Sequence, residues 1–272
     1  MGFRDRGVEI KTPDQIAGMR TAVLVVGSTL ELLRSSVRAG LSTGELDAIA
    51  EDNIRSSGAT PSFKGYHGFP GSICASVNDE VVHGIPGERV LADGDVISID
   101  CGAIVDGWHG DAAITVAVGT VPAEVTELMR VTEEAMWQGI AAARLGGRVT
   151  DISHAVETHV RSQGDYGILE DYVGHGIGSQ MHQPPNVPNF GRPGRGPRLV
   201  EGLALAVEPM ITLGSKDTVV LDDDWTVISS DGSWAAHFEH TFTLTPRGAW
   251  VLTALDGGEA ALAALGVPYG GS

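Results

Sequence analysis

The chain has 272 residues, 42% of them apolar, with 18 Lys and Arg against 35 Asp and Glu and a formal net charge of -17. That length accommodates one large domain or two small ones. The charge has the wrong sign for neutralising phosphates, which excludes broad nucleic-acid contact and DNA as a partner, and part of the acid surplus is expected inside the fold.

The N-terminal stretch MGFRDRGVEIKTP has no apolar signal core, and no apolar run approaches the length of a membrane span. Two cysteines, Cys74 and Cys101, make no disulfide framework and read as small buried residues in a reducing compartment. Together these predict a soluble, cytoplasmic protein without membrane contact. The first helix starts at a capping box, Thr12-Pro13-Asp14-Gln15, runs toward Val37 and is stopped by Gly40. Ser42 and Glu45 form a second box, opening a helix that ends near Gly58. The segment PSFKGYHGFPGSICASVNDEVVHGIPG then reads as loop and short strand.

Strands are expected at Val96–Ile99 and Ala112–Val118, helices from Pro122 through Arg144 and over Asp151–Arg161. Leu203–Val207 is a continuous apolar run, hence a buried strand. Thr226–Ile228, His237–Leu244 and Ala249–Thr253 complete the sheet, and residues 255–272 read as a peripheral tail. The order of helices, hairpin, helices, hairpin hints at an internal duplication. No linker divides the chain, so one α+β catalytic domain spanning 1–272, with its core at about 10–254, is expected.

The chemistry lies in acids on apolar strands. With Val105-Asp106-Gly107 as a hairpin turn, Asp100 and Asp111 fall opposite or nearly opposite each other. Like charges there destabilise, and burial worsens it, so either a proton or a cation must intervene. Glu208 ends the strand LALAV and Glu239 lies in HFEHTFTL. His175, in the loop GHGIG, adds a neutral nitrogen ligand. Four carboxylates and a neutral imidazole reach neutrality with two divalent cations and not with one. Oxygen-rich ligation with one nitrogen favours Mn, Fe(II), Co or Zn bound without thiolate.

The motifs VVHGIP, DGDVISIDCGAIVDGWHGD, GHGIG followed by MHQPP, AVEPM and FEHT occur in the order and spacing of the type I methionine aminopeptidases. The chain resembles that family from about Ile10 to Leu252, in its short bacterial form. The resemblance implies the pita-bread fold, a pseudo-two-fold antiparallel sheet with helices on its outer face. It implies removal of the initiator methionine from nascent polypeptides that begin with Met and a small residue.

By resemblance Asp111 and Glu239 bridge two metals, Asp100 completes one shell, and His175 with Glu208 completes the other. Glu208 is also the family's proton shuttle. His83 matches the contact to the scissile amide nitrogen and His182 the contact to the carbonyl oxygen. The methionine pocket would be walled by Tyr66, Phe69, Cys74 and Trp225. Phe63, Phe69 and Met181 depart from the family pattern, which bears on the pocket's detailed shape and not on the chemistry. The basic run Gly191–Arg198 reads as a solvated loop or as a transient contact to ribosomal RNA. Two rivals remain: a proline-specific peptidase on the same fold, and a binding protein that has lost catalysis.

Overall fold

Thr12 caps α1 (Pro13–Ser36) and Ser42 caps α2 (Thr43–Ser56), each through a complete capping box with Gln15 or Glu45 reaching back to the cap N–H. The computed structural model describes residues 7–271; residues 1–6, part of the stretch read as lacking a signal core, and residue 272 lie outside that range. The other helices are α3 (Ala123–Ala142), α4 (Val149–Gln163) and α5 (Glu259–Ala264).

Among the described residues the largest sheet has nine strands. They are β1 (Thr60–Pro61), β2 (Ile73–Val77), β3 (Val96–Val105), β4 (Trp108–Ala117), β5 (Gly174–Gly176), β6 (Gln183–Val187), β7 (Ala204–Val207), β8 (Glu239–Thr245) and β9 (Gly248–Val251). The strands pair in the order β1-β3-β4-β8-β7-β5-β6, with β2 on β3 and β9 on β8, every pairing antiparallel. Two three-stranded sheets flank it.

The helices cover one face. A methyl group on Gly110 of β4 would lie 2.8 Å from the Val23 Cα of α1, and one on Gly139 of α3 would lie 3.4 Å from Val207 Cγ1 of β7. Asp111 and Glu208 are the next residues along those strands, so alternation turns them to the opposite face. The arrangement is the expected α+β sheet with helices packed outside it.

Four expectations change. The hairpin strands reach ten residues each, because Asp106 and Gly107 alone form the turn, both with positive φ (50° and 81°). The strand expected from His237 divides at Phe238: Ala235–His237 pairs with Met210–Thr212, and β8 starts at Glu239. Residues 255–271 are not peripheral. Leu262 of α5 is fully buried, Val267 and Tyr269 pack on the core, and the Gly270 N–H donates to Ala249 O at 2.7 Å. Finally, α1 is long and apolar enough by composition to cross a membrane, although Gly27, Ser28 and Thr29 interrupt its apolar run; 56% of its most apolar window is buried in the fold.

Candidate metal and peptidase site

The hairpin sets the spacing of the first two acids. Asp111 stands opposite Gly102, and Asp100 opposite Ala113. The two are therefore diagonal neighbours on one face, not a directly opposed pair, because the two-residue turn shifts the register. Diagonal partners are about 7–8 Å apart at the backbone, which leaves space between their carboxylates.

Glu239 stands opposite Ala113 on the other side of β4, and continuing the β8–β7 register one residue past His240 and Val207 brings Glu239 beside Glu208. Asp100, Asp111 and Glu239 each turn an oxygen to within 4.8 Å of the others, and His175, Glu208 and Glu239 do the same with their ligand atoms. Glu239 belongs to both sets. Asp111 also meets His175 and His182 within that distance.

These groups are costly as they stand. Asp111 and Glu239 are each 2% exposed, and Asp100 Oδ1, Asp111 Oδ1 and Glu239 Oε1 are buried without a hydrogen-bond donor. Burial pushes Asp100 up to about 7, and burial, ahead of repulsion from neighbouring carboxylates, pushes Asp111, Glu208 and Glu239 well above the carboxylate range. His175 shows the same mismatch. Its Nδ1 lies 3.0 Å from the Gly176 carbonyl, which fixes Nδ1 as the donor. Nε2 is then a bare lone pair, 3.4 Å from Glu208 Oε1 and 3.9 Å from Asp111 Oδ2. Burial lowers this imidazole to about 3, so it is neutral at physiological pH. Acceptors converging on acceptors demand a cation, and the donor set, carboxylate oxygens with one imidazole, suits hard to borderline divalent ions. The site fits a metal centre.

A cavity of about 350 Å³ opens beside these acids. Phe63, Phe69, Cys74 and Met181 form its buried wall, with Tyr66 and Trp225 packed against them. Phe69 and Trp225 meet edge to face at 5.1 Å. His83 borders Trp225 at 6.1 Å and Tyr172 at 5.7 Å, and its φ of 61° is a conformation non-glycine residues seldom take. The His182 ring lies 4.4 Å from that of His175, and its Nδ1 is 3.1 Å from the Tyr66 hydroxyl. Every site residue singled out from the sequence thus borders this one cavity. Cys74 and Cys101 are both free and buried.

Sequence reasoning missed His237. It is 1% exposed, with an unpartnered Nε2 3.8 Å from Glu208 Oε2. The available signal was its place two residues before Glu239, which strand alternation puts on the same side. Val82 and Met210, also at the cavity, lie within the motifs VVHGIP and AVEPM but were not singled out, and Tyr172 comes from an aperiodic stretch that gave no signal.

Residues 17–246 match the model of metallopeptidase family M24. A methionine aminopeptidase of Clostridium acetobutylicum is 51% identical over 245 residues, covering 90% of this chain and 98% of its own. The chain belongs to the methionine aminopeptidases. As a member of that family and of M24 it is a metal-dependent aminopeptidase, and membership implies divalent metal binding. The crystal structure of the Thermotoga maritima methionine aminopeptidase superposes with a TM-score of 0.89 at 40% identity, covering 91% of this chain and 99% of that one. The prolidase of Pyrococcus furiosus shares the fold alone, with a TM-score of 0.73 at 22% identity, and this chain covers only 66% of it. The proline-specific rival therefore has fold-level likeness and no more.

Proposed function

We propose that this methionine aminopeptidase, acting as one catalytic domain, removes the initiator methionine from new polypeptides whose second residue is small. Asp100, Asp111, His175, Glu208 and Glu239 would hold two divalent cations. The observation that carries this reading is the pair of ligand sets sharing Glu239, with buried oxygens of Asp100, Asp111 and the shared Glu239 lacking any donor. Four negative charges around two adjoining points call for two divalent ions, which Glu239 and Asp111 would help to hold. When bound, the ions supply a Lewis acid for the scissile carbonyl and a water of lowered pKa.

The chain's own residues do the rest. Phe69, Cys74 and Trp225 take the methionine side chain, because a thioether against rings and a thiol is a favourable soft contact. His83, which burial lowers to about 4, is neutral and reaches the scissile nitrogen from the pocket rim. His182, also kept neutral by burial, donates to the carbonyl oxygen, with Tyr66 steadying its Nδ1. Glu208 passes a proton to the departing amine.

The setting is the cytoplasm and the substrate is the nascent N-terminus. Arg192, Arg195 and Arg198 are exposed on a loop tied to α4 by Gly194 N–H to Asp151 Oδ1 at 2.7 Å and Arg195 N–H to Thr150 Oγ1 at 2.8 Å. This basic patch is the surface for a transient ribosome contact. Neutralising the three arginines should weaken ribosome co-sedimentation, and unchanged co-sedimentation removes the contact.

Metal-stripped protein reloaded with Mn, Fe(II), Co or Zn in turn should cleave Met-Ala-Ser and leave Ala-Pro peptides intact. Preference for Ala-Pro, or equal cleavage with no ion present, would overturn the assignment.

A further inference from the structure

The segment Ile177–His182 joins the strand carrying His175 to the strand that follows His182, and it has no helix or strand of its own. It is held from outside, by the residues that precede α1. Lys11, only 4% exposed, donates from Nζ to the Ile177 carbonyl. Its charge is paired with Glu9 Oε2 at 3.4 Å. The same Glu9 oxygen accepts from the Ser179 N–H at 3.1 Å and from Gln183 Nε2 at 2.9 Å. Gln183 Nε2 also donates to Ser179 Oγ at 3.1 Å. One acid–base pair thus grips the start and the middle of the connector and Gln183, the residue just past its far end.

The grip is close, and a side chain at its centre would push the two charged ends aside. A methyl group on Gly178 would lie 2.3 Å from both Glu9 Oε2 and Lys11 Cε, although no positive φ bars a side chain there. Burial alone would raise the Glu9 carboxyl. The donors from Ser179 and Gln183 and the Lys11 charge outweigh that and hold it at about 2, so Glu9 is ionised at neutral pH; burial lowers Lys11, and the Glu9 charge opposes that. The Lys11 N–H donates to Gly202 O at 2.8 Å, and Ile10 bridges Leu203, which moors the pair to the lead-in of β7. Inside the site, by contrast, His182 has the Tyr66 hydroxyl and the His175 ring for company.

We infer that Glu9 and Lys11 are positioning residues for the reaction: by clamping the connector they fix His182 where it meets the substrate carbonyl. The inference rests on the reading of His182 given above. Neither residue touches substrate. Their effect runs through the imidazole, where an error of about 1 Å can cost on the order of a hundredfold in rate.

A double-mutant cycle separates this from a merely structural role. Glu9→Ala should lower kcat about tenfold to a hundredfold, with KM and bound metal unchanged. In a His182→Ala background the same change should cost nothing further, because the residue it serves is gone. Glu9→Gln, which keeps an acceptor for Ser179, should recover part of the rate. Should Glu9→Ala fold poorly, Gly178→Ala keeps both charges and opens the clamp by volume alone, with the same expected loss of kcat. Wild-type kcat in Glu9→Ala and Gly178→Ala, beside a crippled His182→Ala, would overturn the clamp alone. So would a Glu9→Ala loss that persists in full without His182. Wild-type kcat in His182→Ala would instead overturn the role given to that histidine.

Discussion

Removing the metal should turn the buried acids into a pH-dependent liability. In the metal-free chain burial raises Asp100 to about 7, and burial, ahead of repulsion from neighbouring carboxylates, raises Asp111, Glu208 and Glu239 well above the carboxylate range. An acid with a raised folded pKa binds more protons folded than unfolded, so its stability is present at low pH and lost as pH climbs toward that folded pKa. Each proton the folded chain retains costs about 1.4 kcal/mol per pH unit. Asp111, Glu208 and Glu239 keep at least one among them, since adjacent buried carboxylates do not all ionise without a counter-charge. Between pH 7 and pH 8 the metal-free chain should therefore lose stability relative to the loaded chain, by about 1.4 kcal/mol for each proton the cluster keeps across that range, a sizeable share of a typical domain's stability. Histidines push the other way. Burial lowers His83 and His240 to about 4 and His175 and His237 to about 3, so their contribution is gained as pH rises through 6.5. They are neutral in the folded chain with or without metal, so comparing the two forms cancels them. Urea unfolding at both pH values, with and without a chelator, reads the difference. A metal-free chain that holds or gains stability relative to the loaded one would refute the reasoning.

Asp111→Ala and Glu239→Ala should each cut kcat by more than about a hundredfold in peptide cleavage, since each removes a carboxylate that the proposed metal centre would use. Trp225→Ala should lower kcat/KM for Met peptides at least about tenfold while leaving metal content intact, because it strips the ring that meets Phe69 at 5.1 Å. Leu262→Ala should cost about 2–5 kcal/mol in denaturant unfolding, as a buried core leucine does, whereas a peripheral tail would show no change. Gly110→Ala should cost about 1–3 kcal/mol by forcing α1 off β4, with its new methyl 2.8 Å from Val23 Cα.

Local chemistry is what the sequence expresses most clearly. Capping boxes at Thr12 and Ser42 announce α1 and α2 because each is complete within four residues. The metal face is readable for a related reason: a carboxylate on an apolar strand conflicts with its surroundings, and only a few resolutions exist. Partner choice is not local. Nothing within AAHFEH says that His237 pairs with Met210 while Glu239 joins the main sheet. The two prolines of β6 mask a strand, which is tolerated because β6 ends the pairing order and has one neighbour only. The Glu9 and Lys11 clamp is equally hidden, since its partners lie more than 160 residues away in sequence.

Metal content per chain, titrated against activity in one series, bears most directly on the central claim. Metal-free protein should be inactive and reach full activity at two divalent ions per chain, with Glu239→Ala holding fewer than two and staying inactive. Full activity from an ion-free chain, or a Glu239→Ala chain that binds two ions and cleaves normally, would contradict it.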